Sequence, residues 1–148
     1  MAFQGPIQVD FGTVFPDGAY AAGGIEMVRD FERSSGDRVV QQVDKHTGLP
    51  LWVVEVIDAD PAARQRTVKV KIAAQVQPVL PAPAPGSPFT AVEFDGMAVM
   101  PYVDGSRCDP DSKKCGGRLA YSLKAAGVRA PARGITRPAA AAERKDAA

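Results

Sequence analysis

The chain has 148 residues, 45% of them apolar, with two cysteines and a formal net charge of +1. That length suits one domain able to bury a core without a disulfide framework. It excludes a membrane-spanning helix, since no run of about 18 apolar residues occurs. The first residues lack the charged and apolar regions of a secretory signal, so a cytoplasmic location with reduced thiols is expected.

Fourteen glycines and thirteen prolines cut the chain into short segments, which favours strands over a helical bundle. A first strand is expected over 7–15, alternating around Val9, Phe11 and Val14 and ending at the turn Pro16-Asp17-Gly18. Residues 25–31 suggest a second, short strand. Residues 38–43 and 49–57 read as a hairpin around the turn 44–48. The second arm is apolar on both faces up to Glu55, as in a central strand. Asp58 to Arg64 then turns the chain.

Thr67 to Gln75 alternates cleanly, with Val68, Val70 and Ile72 on one face and Thr67, Lys69 and Lys71 on the other. Proline cannot donate to a ladder, so the proline-rich stretch 78–88 is a stiff connection. Residues 89–94 and 97–103 flank Asp95-Gly96, a two-residue hairpin signal. A polar loop, 104–117, holds both cysteines. The last element, 118–128, reads as strand through the alternation of Leu119, Tyr121 and Leu123. The sum is an all-β domain over 1–130, a small OB-like antiparallel barrel, with a β-sandwich as the alternative. Residues 131–148, rich in Ala, Arg and Pro, form a disordered basic tail.

Candidate chemistry is sparse. The single histidine, His46, falls in a turn, and no nucleophile motif accompanies it. Cys108 and Cys115, without a nearby histidine, cannot complete a zinc site; a pair of loop thiols is the expected reading. No phosphate-binding glycine loop occurs. The sequence therefore points to no catalytic residues, no metal, no cofactor and no enzyme.

What remains is basic and aromatic. Residues 1–106 hold 8 Lys+Arg against 13 Asp+Glu, whereas 107–148 hold 10 against 4, a polarity that suits an anionic partner. Lys69 and Lys71 share a strand face, with Arg64 and Arg66 in the preceding turn, and Tyr121 and Lys124 lie on the last strand. Together these six make a candidate surface for single-stranded DNA, in which cations track phosphates and an aromatic ring stacks on bases. Trp52, in the most apolar strand, is expected to belong to the core. Self-association is left open.

The segments 3–18, 28–31 (Val-Arg-Asp-Phe), 42–52 (Gln-Val-Asp-Lys-His-Thr-Gly-Leu-Pro-Leu-Trp), 58–61, 67–72 and 118–125 resemble the actinobacterial plasmid replication, integration and excision activators. The similarity covers residues 3 to about 131. It implies an accessory regulator of an integrative mobile element, activating replication, integration and excision, with DNA and the element's replication or recombination proteins as partners. The order of Thr47–Val56, Val68–Ile72, a proline connection and a final Gly-Arg-Leu is also similar to filamentous-phage single-strand DNA-binding proteins, which have OB-like barrels. No helix-turn-helix is in sight. A regulator acting through protein contacts alone is the alternative.

Overall fold

The computed structural model describes residues 4–109, 111 and 116–132. The tail expected after residue 131 lies almost wholly outside them. Within them the regular structure is nearly all strand: β1 Ile7–Gln8, β2 Ala19–Ala21, β3 Glu26–Met27, β4 Leu51–Asp58, β5 Thr67–Ala73, β6 Thr90–Asp95, β7 Ala98–Asp104, β8 Arg118–Ala125 and β9 Gly127–Arg129, with one helical turn, α1 Phe11–Val14.

The strand pairings return on themselves. β4 pairs antiparallel with β5 and with β2, and β2 pairs with β6. β6 and β7 are two halves of one bent strand, as are β8 and β9. Glu93↔Arg129 to Asp95↔Gly127 and Ala98↔Lys124 to Asp104↔Arg118 keep a single register through the bend, with Gly96 opposite Ala126. β8 then pairs with β5 in parallel, Val70↔Leu123 to Ile72↔Ala125, which completes the ring. The result is an OB-like barrel of five strands rather than a sandwich, with β1 added at the edge of β7 and β3 beside β4.

The ring corrects the expected Asp95-Gly96 hairpin. β6 and β7 do not pair with each other, because Val92, Phe94 and Met97 must all reach the core, at 0–3% exposure. The chain therefore turns a corner instead of reversing. Gly96 adopts φ +59°, and a Cβ built there would stand 2.9 Å from that of Ala126, so glycine answers both the backbone and the close approach.

The first expected strand is also corrected. Phe11, Val14 and Phe15 follow i, i+3, i+4 spacing, and the chain makes a helical turn there. That turn plugs one end of the barrel: Phe11, Phe15 and Phe94 form a ring cluster with centroids 5.4–6.5 Å apart. β2 carries little sequence signal, since two of its three residues are alanines, which strands disfavour. It is nonetheless central, and its small Ala19 and Ala21 are buried between β4 and β6.

Residues 38–43 do not form a long arm against 49–57. The turn 44–48 exists, with Asp44 and Gly48 amides donating to the Leu49 and Asp44 carbonyls, but beyond Val43↔Pro50 and Gln42 the segment folds back on residues 28–30. The outcome is a two-stranded finger between β3 and β4; of the expected strand 25–31, β3 and the Arg29↔Gln41 bridge are present, and residues 31–33 turn instead.

β5 matches expectation: Val70 and Ile72 are fully buried, Val68 packs against the core, and Lys69 faces out. Trp52 packs on the same core, and its Nε1 donates to the Ala74 carbonyl at 3.0 Å. No helix among the described residues is long and apolar enough to cross a membrane.

Candidate nucleic-acid interface

In an OB-like barrel the outer face of the second and third strands, flanked by two loops, is the usual binding surface. Here those strands are β4 and β5. The flanking segments are 22–50, which carries the finger, and 105–117, between β7 and β8.

β5 and β8 pair only over residues 70–72 and 123–125, then splay apart. The splay opens a groove of about 520 Å³ that brings Lys69, Lys71 and Tyr121 together with Tyr102 of β7. Tyr121 is 59% exposed and Tyr102 49%. Alternation would put Tyr121 on the inner face with Leu123; because β8 has left β5 at that level, its ring sits at the rim instead. A second, smaller groove continues the first, with Lys71 and Ser122 lining both. It runs past Lys124 to Lys45 and His46 in the 44–48 turn. The two make one trough with cations along its length and tyrosines at one end.

The electrostatics are mixed. Glu55 stands directly opposite Lys69 in the β4–β5 register, on the same outer face, and opposes an anion there. Lys124 is engaged within the fold. Its Nζ lies 2.5 Å from Asp44 Oδ1, and Asp44 is only 4% exposed. Burial pushes the Asp44 carboxyl up, but the hydrogen bonds from Lys124 and Thr47, with the Lys124 charge, outweigh it and hold the group below its ordinary value. This pair latches the 44–48 turn onto β8 and shapes the trough wall, so Lys124 is a positioning residue more than a free phosphate contact.

The remaining expected residues divide. Arg64 lines a neighbouring groove beneath the β7–β8 arm, which shares Tyr102 and Tyr121 with the trough, and Arg66 borders neither trough groove. Sequence reasoning missed Tyr102 and Lys45. Tyr102 follows Pro101 in a segment read only as a strand, and nothing in the sequence says that its strand runs beside β8.

Among the described residues no group of three or more His, Cys, Asp or Glu is placed to hold a metal ion. Cys108 is disulfide-bonded, which corrects the expected pair of reduced thiols. The chain's one other cysteine, Cys115, lies outside the described residues. The ladder through Asp104↔Arg118 brings the two ends of this loop side by side, which sequence spacing does not reveal. A stable disulfide is at odds with a reducing compartment.

The chain matches no protein-family model, and neither a curated protein nor a solved structure matches it.

Proposed function

We propose that this protein binds single-stranded DNA non-enzymatically along the β5–β8 trough. The observation that carries the reading is the continuity of the two grooves through Lys71 and Ser122, which aligns Lys45, Lys71 and Lys69 with Tyr102 and Tyr121. Spaced cations suit a phosphate chain, and the tyrosines at the rim offer faces on which unpaired bases stack whatever their sequence. The described residues offer no recognition helix for a duplex, only strands and one four-residue turn. The resemblance to activators of plasmid replication, integration and excision supplies the setting: an accessory protein that meets strands opened during replication or excision.

A fluorescence-anisotropy titration against matched single-stranded and duplex oligonucleotides, at two salt concentrations, tests this. The expected result is preferential single-strand binding that weakens steeply with salt. Equal affinity for both forms would remove the single-strand preference, and no affinity for either would instead favour a regulator that works by protein contacts.

A further inference from the structure

The finger between β3 and β4 presents an uncovered aromatic face. Arg29 bridges Gln41, the Asp30 amide donates to the Val40 carbonyl at 2.8 Å, and the Gln42 amide donates to the Val28 carbonyl at 2.7 Å. The ladder ends there: residues 31–33 form a turn in which the Ser34 amide donates to the Asp30 carbonyl at 3.0 Å, so Phe31 stands at the outer end of the paired stretch, next to Arg29. Phe31 is 80% exposed, and Val39 is 46% exposed. The Arg29 guanidinium lies 5.5 Å from the centre of the Phe31 ring. A phenyl ring so open to water is costly in an isolated chain, and the cation beside it fixes its attitude.

The finger is continuous with the trough. Gln42 and Val43 at its base line the trough beside Lys71 and Lys124. Val28, whose carbonyl accepts from the Gln42 amide at the trough, lies only three residues before Phe31. The Asp30 carboxylate accepts from the Glu32 and Arg33 amides, at 3.1 Å each, and the exposed Glu32 and Asp37 offset the finger's arginines, so the face offers stacking more than charge. Arg29, Arg33 and Arg38 are all exposed on the finger.

We propose that Phe31, held by Arg29, is a second stacking platform for an unpaired nucleobase, extending the trough along the finger. The inference rests on the trough reading, and it assigns the finger the far end of a longer single strand. A short oligonucleotide would fill the trough alone; a longer one would also reach Phe31.

The test uses the full chain with fluorescein-labelled oligothymidylates from roughly 4 to 16 nucleotides. The unaltered protein should gain affinity with length. Phe31→Ala should bind the shortest oligomers normally and the longest roughly 5- to 150-fold more weakly. Phe31→Trp should restore the gain, and its added emission should be quenched only by the longer oligomers. If Phe31→Ala matches the unaltered protein at every length, or the Phe31→Trp emission ignores bound DNA, the platform is wrong while the trough stands. If the unaltered protein binds no oligomer at all, both fail.

Discussion

Lys124 Nζ and Asp44 Oδ1 lie 2.5 Å apart and tie the turn at the base of the finger to β8. Residues 80 positions apart in sequence thereby define one wall of the trough. The nearly buried carboxylate also accepts from the Thr47 hydroxyl at 2.8 Å, so the latch is hydrogen-bonded from two sides. Removing one partner leaves a charge that has lost its water and gained nothing.

Lys124→Gln should therefore destabilise the fold by about 2 kcal/mol, between the values for exposed and buried pairs. The double change Lys124→Gln, Asp44→Asn should recover part of that. Urea denaturation of the unaltered chain, both single variants and the double variant measures it; single-variant losses that simply add in the double variant would show that the pair contributes no coupling.

The same latch sets a pH dependence. The folded Asp44 carboxyl titrates below its unfolded value, so its contribution is fully present above the unfolded value of about 3.9. It is lost as pH falls from there through the lower, folded value. Thermal melts between neutral pH and about pH 2 should show a smaller acid loss for Asp44→Asn than for the unaltered chain. Parallel curves would mean that Asp44 carries no part of the acid sensitivity.

Gly96→Ala should cost about 2 kcal/mol, because the new side chain meets a positive φ and the Ala126 Cβ together. Adding Ala126→Gly should relieve the contact but not the backbone strain, giving a partial rescue in chemical denaturation. Full rescue would remove the backbone argument, and no loss at all would remove the bend.

Trp52 and Glu55 separate core from interface. Trp52→Ala should destabilise by about 3 kcal/mol, since the ring packs on the core and bonds Ala74. Glu55→Gln removes the carboxylate opposite Lys69 and should tighten DNA binding a few-fold at low salt, with stability nearly unchanged. Weaker binding by Glu55→Gln would mean that DNA does not lie over this face.

The strands that sequence made legible are those whose pattern is local. β5 shows period-two alternation, and its Val70 and Ile72 are buried while Lys69 faces out. β8 likewise lies within its expected span, and β4 overruns its own by one residue, Asp58. What could not be read depends on partners distant in sequence. Ala19–Ala21 is a strand only because β4 and β6 enclose it. Asp95-Gly96 is a corner because its two flanks bury side chains in one core. For the site, the shared face of Lys69 and Lys71 was legible. The opposed Glu55, the engagement of Lys124 and the nearness of Tyr102 all follow from register between strands.

The most direct test of the trough is the salt dependence of oligothymidylate binding by the unaltered chain and by Lys69→Ala, Lys71→Ala. Both side chains leave the core untouched, so the variant should fold normally. If each lysine meets a phosphate, the slope of log affinity against log salt should flatten by about 0.7 per contact, about 1.4 for the pair. A variant that binds with the same affinity and the same slope would place the DNA elsewhere and contradict the proposed interface.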